Sequence, residues 1–253
     1  MSASYSKDHA VGIGIWHAPP NVSKEAFENK LTTLIDKLVA LPVAQKNYVK
    51  FEMMFQTGLG TEEMMTHGVP ESPPSVGVIA ECATIADYLE IWEDPAVMSV
   101  MQEGMNSVYG SSRPTANLSL GEVQIRLDRP TAGNRIRLVC GLKRPDNLSV
   151  EGYRKIVNAS VDRFASLPIV QKNAIKHSLW VPHNALDRQV SAVGFPATET
   201  NIIIMVETEN QDRMIELLTD SDVKQFMDDS RREWDIYADI LSFVANVVTK
   251  IEK

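Results

Sequence analysis

LPVAQKN at residues 41–47 returns as LPIVQKN at residues 167–173, so the chain contains the same segment twice, 126 positions apart. The match continues without a gap on both sides, and 18 of the 83 positions from 19 to 101 are identical to their counterparts. A repeat that keeps its register over such a length indicates one fold used twice. The sequence therefore predicts two similar units in tandem.

The composition is that of a globular protein with an acidic surface. The chain has 253 residues, of which 44% are hydrophobic and 23% charged, with a formal net charge of -8. Nucleic acids and anionic membranes bind clustered Lys and Arg, so we expect neither as a partner. No apolar run approaches the roughly 20 residues that a membrane-spanning helix needs.

The chain start and the two cysteines bear on location. Residues 1–10 lack the apolar core of a secretory signal. Cys82 and Cys140 lie in apolar segments and do not align in the repeat, which favours two free thiols in a reducing compartment. We therefore predict a cytoplasmic protein.

The hydrophobic pattern of each unit has the order β-α-β-β-α-β. Ser23 and Ser149 are suitable helix N-caps, and apolar residues then recur at helical spacing until Pro42 and Pro168, which are expected to end the helix. Alternating and continuous apolar strands, a second helix and a last strand follow. In each unit a long loop separates the second strand from the third, and loops of such length are usually functional lids or carry a short helix. The predicted ranges are 57–74 and 183–200 for the loops, 84–109 and 210–231 for the second helices, 10–128 and 135–252 for the units, and 129–134 for the linker.

This element order predicts an α+β fold in which each unit is a ferredoxin-like split β-α-β sheet with both helices on one face. The other face is apolar and needs a partner, which the second sheet of the same chain can supply. With its repeated Asn-x-Ser-x-Glu-x-aromatic and Leu-Pro-x-x-Gln-Lys-Asn segments, the chain resembles the dimeric α+β barrel superfamily over residues 10–252. The resemblance implies two units packed sheet to sheet as an intrachain barrel.

The resemblance also implies pockets between the helices and the sheet of a unit. The superfamily includes cofactor-free monooxygenases, isomerases, cyclases, stress-responsive barrel proteins and haem enzymes. Further association into a homodimer is compatible with it. The chain has no Gly-x-x-Asp-Gly segment of the dye-decolourising peroxidase kind, which argues against haem.

His177 is the sharpest candidate for a catalytic residue. It lies in the apolar series Ile175-x-His177-x-Leu179, where the first unit has Phe51. Because histidine titrates near neutrality, it suits general acid–base catalysis if this series faces the helices. The alternative is a core histidine that is hydrogen-bonded to a neighbouring group. We expect an aromatic wall around it from Trp180, His183, Trp234 and Tyr237.

The first unit has three glycines where the second has larger side chains. Gly12, Gly14 and Gly77 align with Leu138, Cys140 and Ile203, and glycine in a strand often marks the close approach of a ligand. The other interpretation, which we favour, is that neighbouring aromatic side chains occupy the space. The candidate binding residues of this unit are Gly12, Gly14, Trp16, His17, Gly77, Tyr88 and Trp92.

Other motifs are missing from the sequence. The five histidines and two cysteines have no zinc-type spacing, so we predict no metal site. His67 lies in the first long loop, where a histidine is usually exposed to solvent. Gly58-Leu59-Gly60 does not continue as a Rossmann or phosphate-binding loop. We expect Lys50 and Lys176, present in both units, to pair with Glu81, Glu207 or Glu122.

Three functional hypotheses follow. The first is a cofactor-independent cyclase, decarboxylase, isomerase or monooxygenase that acts on a small apolar or aromatic molecule, with His177 as the acid–base. The second is a non-enzymatic ligand-binding or stress-responsive barrel. The third and weakest is a haem protein with His177 or His183 as the axial ligand.

Overall fold

A computed structural model describes residues 4–5, 10–110, 112, 114–130, 135–195, 201–234 and 240–253. The strands are β1 (Ser4–Tyr5), β2 (Ala10–His17), β3 (Tyr48–Gln56), β4 (Ser75–Cys82), β5 (Ala116–Asp128), β6 (Ile136–Leu142), β7 (Ala174–His183), β8 (Ile202–Thr208) and β9 (Ile240–Glu252). The helices are α1 (Lys24–Val39), α2 (Pro42–Asn47), α3 (Thr61–Thr66), α4 (Ile85–Glu93), α5 (Pro95–Tyr109), α6 (Val150–Ala165), α7 (Pro168–Asn173), α8 (Asp187–Ala192), α9 (Gln211–Thr219) and α10 (Ser221–Trp234).

Eight antiparallel strands close into a barrel. The order is β5-β2-β4-β3-β9-β6-β8-β7, and β5 pairs with β7 to complete the ring, while β1 adds a short pairing to β5. Each unit has the strand order of the ferredoxin-like plan, and the last strand of each pairs with the second strand of the other. The predicted α+β barrel is confirmed. The unit boundaries remain a prediction, and residues 131–134 of the expected linker lie outside the described residues.

The described part of the chain has three apolar layers. Inside the barrel, inward-facing side chains of both sheets pack together, among them Ile13, Met54, Val139, Trp180 and Phe243. Outside it, the helices of each unit cover the outer face of that unit's sheet and form two further cores. Because strand side chains alternate between faces, each of the eight barrel strands contributes to the barrel interior and to a helix–sheet core, and β5 and β9, which join the two sheets, contribute to both of these cores.

The repeated heptad forms α2 and α7, and the structure explains why it is kept. Leu41 and Leu167 precede helices that begin with proline, whose missing N–H costs nothing at that position. The preceding helices end at Val39 and Ala165, shortly before these prolines, as expected, and Pro42 and Pro168 each begin a further short helix that was not expected. The glutamine of each heptad binds a carbonyl at the end of the preceding helix, and the lysine pairs with a glutamate of α4 in the first unit or of α9 in the second. These contacts are Gln45–Val39, Gln171–Ala165, Lys46–Glu90 and Lys172–Glu216.

The second helix of each unit is divided in two. Asp94 ends α4 and caps α5 through hydrogen bonds from the N–H groups of Ala96 and Val97, and Pro95 occupies the first helical position. Asp220 separates α9 from α10 in the same way. The continuous helices expected over 84–109 and 210–231 are thus wrong, because an aspartate cap favours a new helix start over continuation.

A buried ion cluster joins the two units at one end of the barrel interior. Arg137 of β6 binds Glu207 of β8 at 2.7 Å and Glu52 of β3 at 2.9 Å, and Arg135 binds both carboxylates. Burial alone would raise the pKa of Glu52, but Arg137, Lys50 and Arg135 lower it to about 2. Lys50 pairs with Glu52 at 2.9 Å, which corrects the expected pairing with Glu81, Glu207 or Glu122.

Replacing Arg137 tests how much the units depend on this cluster. Arg137→Ala leaves two buried carboxylates short of a partner, so we expect the free energy of unfolding in urea to fall by about 3–5 kcal/mol. The control is Lys46→Ala, which removes an exposed pair with Glu90 and should change the free energy of unfolding far less, because water screens exposed ion pairs. Equal losses for the two variants would contradict the structural importance of the cluster.

Candidate functional site

An apolar cavity lies in the second unit, between its helices and the outer face of its sheet. Its volume is about 80 Å³, against about 20 Å³ for the corresponding cleft of the first unit. The wall is almost entirely aliphatic and aromatic. The side chains that can form hydrogen bonds or soft sulfur contacts are Met64, His67, Cys140, Ser160, His177, Met227 and Ser242.

The first unit's cleft is filled by aromatic side chains. A Cβ atom on Gly12 would lie 1.8 Å from the Tyr88 hydroxyl oxygen, and one on Gly14 would lie 2.5 Å from the Trp16 ring. Trp92 lines the same cleft and is buried. Gly12 and Gly14 therefore make room for aromatic rings, in agreement with the interpretation that neighbouring aromatic side chains occupy the space. Gly77 faces Met54 in the barrel interior.

The long loop of each unit packs against the helix–sheet core of the other unit. The first loop carries α3, and Met64 and Val69 belong to the core of the second unit. The second loop carries α8, and Val190 and Phe195 belong to the core of the first. We call residues 57–70 the first lid and residues 184–195 the second lid. Each helix–sheet core therefore includes side chains of a lid from the other unit, and the first lid also lines the second unit's cavity through Met64, His67 and Val69.

His67 belongs to the candidate site through this exchange. Its side chain is only 5% exposed, and its Nε2 atom lies 2.7 Å from the carbonyl oxygen of Leu218. The expectation of a solvent-exposed loop histidine is therefore wrong. Gly60 and Gly68 flank α3 with positive φ angles of 73° and 69°, a conformation that glycine adopts without strain.

His177 faces the cavity and is fully buried. Period-two alternation along β7 places it with Leu179 and Val181 in the helix–sheet core, as expected. Its ring packs edge to face on Phe164 at 5.4 Å, and neither ring nitrogen has a hydrogen-bond partner among the described residues. Burial, with a smaller effect of the Arg126 charge, lowers the pKa of His177 to about 4. The imidazole is therefore neutral at physiological pH.

A chain of soft polar contacts forms another part of the wall. The Cys140 sulfur lies 3.1 Å from the Ser242 hydroxyl, which donates to the Met64 sulfur at 3.2 Å. Burial raises the pKa of Cys140 to about 11, so the thiol stays protonated and is a weak nucleophile. The sequence held one signal for this group, the alignment of Cys140 with Gly14. It held none for Ser242.

The remaining candidates are dispersed. Trp180 lies inside the barrel, where its indole Nε1 approaches the carbonyl of Val11, and thus on the opposite side of the sheet from the cavity. His183 is half-buried at the end of β7, and its Nδ1 atom accepts from the N–H of Ala185. His17 binds the Ser75 hydroxyl at 2.8 Å. Tyr237 and the Trp234 side chain lie outside the described residues.

Two negative findings concern the described part of the chain. No group of three or more His, Cys, Asp or Glu side chains there is arranged to bind a metal ion. No helix there has the length and apolar character needed to cross a bilayer.

Stability should depend on pH through His177. Because its pKa is about 4 in the folded protein and near 6.5 in the unfolded chain, the unfolded state binds the proton first as pH falls. We expect the free energy of unfolding to lose about 3 kcal/mol from this residue between pH 7 and pH 4. His177→Phe, which copies the first unit, should lack that loss when urea denaturation is measured across the range. Parallel pH curves for the two proteins would refute the assignment.

Comparison with known proteins supports the fold, and the low sequence identities give no information on the reaction. An anthrone oxidase-like protein superposes with a TM-score of 0.60 at 8% identity, covering 98% of this chain and 96% of its own. A putative monooxygenase from Fusobacterium nucleatum superposes with a TM-score of 0.51 at 8% identity, covering 96% and 93%. No family model and no curated protein sequence matches the chain. At these identities the likeness shows a shared ferredoxin-like α+β barrel.

Proposed function

We propose that the second unit's cleft binds a small, largely apolar molecule with a polar group directed at His177. We propose further that the protein acts on this molecule as a cofactor-independent enzyme, with the neutral imidazole as its base. The observation that carries the proposal is the pair of unpartnered nitrogens of His177 at an apolar cavity. Buried polar groups are normally hydrogen-bonded, and a bound molecule would supply the missing partner.

The cavity limits the size of the ligand. Its volume of about 80 Å³ is roughly half that of an engineered apolar cavity of about 150 Å³ that binds benzene. The present cavity thus suits at most one small ring, and a larger ligand needs Met64, Met227 or the first lid to move. Methionine side chains adapt readily to such changes. A haem, with four pyrrole rings, does not fit this space.

The chemistry open to His177 is proton abstraction. A C–H or O–H bond of the substrate would break, its proton would pass to an imidazole nitrogen, and the electron pair would remain on the substrate. Because burial disfavours the imidazolium form, the resulting anion has to be delocalised, as an enolate or phenolate is. Anthrone has such an acidic C–H bond, and one structural neighbour is an anthrone oxidase-like protein.

One observation favours the second candidate function, a binding protein without turnover. Cys140 and Ser242 bind each other, and His67 binds Leu218 through Nε2. The buried polar side-chain atoms of the cavity wall that lack a partner among the described residues are therefore the two nitrogens of His177 and the Nδ1 atom of His67. A single neutral histidine is enough to orient a ligand. Turnover by proton transfer usually needs a further group that stabilises the anion.

A matched pair of ligands tests binding. We expect p-cresol and toluene both to bind in calorimetric or thermal-shift titrations, with His177 satisfying the cresol hydroxyl. In His177→Phe that hydroxyl would be buried without a partner, which costs about 1–3 kcal/mol. The ratio of the cresol Kd to the toluene Kd should therefore rise about tenfold or more. Phe51→Leu, at the matching position of the first unit, is the control and should leave the ratio unchanged.

Hydrogen exchange tests for turnover. We expect the wild-type protein in D₂O to accelerate exchange of the acidic C–H protons of phenylacetone or cyclohexanone, single-ring carbon acids that match the cavity, by about 10²-fold over buffer as followed by NMR. His177→Phe should abolish the acceleration, while Phe51→Leu retains it. Binding of p-cresol without accelerated exchange of either carbon acid would instead support the non-enzymatic function.

A further inference from the structure

Arg126 reaches the second unit's helices from the last strand of the first unit. The pairing of β5 with β7 shifts register between Ile125 and Leu127, and Leu127 lies directly opposite His177. Such a bulge leaves one residue unpaired and re-aims its side chain. Here that residue is Arg126, whose guanidinium binds Asp162 at 2.6 Å and Asn158 at 2.5 Å, both on α6.

The first unit contains a matching arrangement. Its strand β3 shifts register against β9 between Phe51 and Glu52, where Phe51 lies opposite Ile251. Lys250, next to Ile251, binds Asp36 of α1 at 2.7 Å. Asp36 and Asp162 are equivalent in the repeat. Both units therefore place a cation from the other unit against the first helix, beside the position that holds Phe51 or His177.

The two units differ in whether every side-chain nitrogen of this cation has a partner. The single side-chain nitrogen of Lys250, in the first unit's arrangement, pairs with Asp36. The guanidinium of Arg126 keeps a further nitrogen, Nη1, that is buried and has no hydrogen-bond partner among the described residues. This spare donor occurs in the unit that has histidine in place of phenylalanine and a larger cavity. The first unit, with neither, serves as an internal control.

Burial makes the positive charge dominate toward the cleft. The Arg126 side chain is 9% exposed, whereas the Asp162 side chain is 62% exposed. Water screens the exposed carboxylate more than the buried guanidinium. The pair therefore produces a net positive electrostatic potential in the protein interior. The other titratable or charged groups on elements around the cleft include His67 and Cys140, which line it, and Arg163, which pairs with Asp229. They also include Arg231 of α10, which lies against Gly68 of the first lid and whose Nη2 atom is buried without a hydrogen-bond partner among the described residues.

We infer that Arg126 is a positioning residue that makes the second unit's cleft select anions. The polar group beside His177 belongs to a phenol or enol that binds in, or is converted to, its ionised form. Arg126 stabilises that anion through its charge, without lining the cavity itself. The inference rests on the proposed function and supplies the anion-stabilising group that proton abstraction requires.

4-Nitrophenol is a direct probe, because its ionised form absorbs at longer wavelength and its free pKa lies near neutrality. We expect the wild-type protein to lower the pKa of the bound dye. Arg126→Gln should reduce the ratio of ionised to neutral bound dye about tenfold, while Arg126→Lys, which keeps the charge, should restore most of it. Lys250→Gln, the matched change in the first unit, should leave the titration unchanged.

Asp162→Asn separates an electrostatic role from a merely structural one. It keeps an acceptor for Arg126 and removes the compensating charge, so the ionised fraction of bound dye should rise where Arg126→Gln makes it fall. Changes in the same direction, or equal dye titrations for wild type and Arg126→Gln, would overturn the inference alone. If neither 4-nitrophenol nor p-cresol binds the wild-type protein, the proposed function fails with it.

Discussion

Closure of the eight-stranded barrel is the constraint on which the rest of the structure depends. A four-stranded sheet with helices on one face exposes an apolar face and two edges, and both are liabilities in water. Pairing β3 with β9 and β5 with β7 removes all four edges, and the two inner faces bury each other around Trp180 and Phe243. The barrel interior is then packed, so space for a ligand remains between helices and sheet.

The sequence was sufficient for the architecture because its signals are periodic and repeated. The order of elements, the two-unit organisation and the helix-facing side of His177 all follow from spacing along the chain. Trp180 was assigned to the wrong side of the sheet, although its offset of three residues from His177, an odd number, already placed it on the opposite face of β7. The split of each second helix depended on an aspartate cap competing with helix continuation.

The exchange of lids could not be predicted from spacing. Which core a loop covers depends on how the two sheets meet, and that is a contact between residues more than 100 positions apart, such as His67 with Leu218. The burial of His67 and the contact between Met64 and Ser242 follow from this exchange. Gly12 and Gly14 were ambiguous for a related reason, because a strand glycine can make room for a ligand or for a neighbour such as Tyr88. The repeat did, however, point to His177 and Cys140, both of which line the cavity.

The exchanged lids also bear on folding cooperativity. Neither helix–sheet core is complete until the other unit has formed, because Met64 and Val69 complete one and Val190 and Phe195 the other. The barrel seam and the buried ion cluster add the same mutual dependence. The free energy of binding a molecule in the second cleft therefore stabilises the first unit as well. By mass action, a ligand at this one site stabilises the native state of the whole chain.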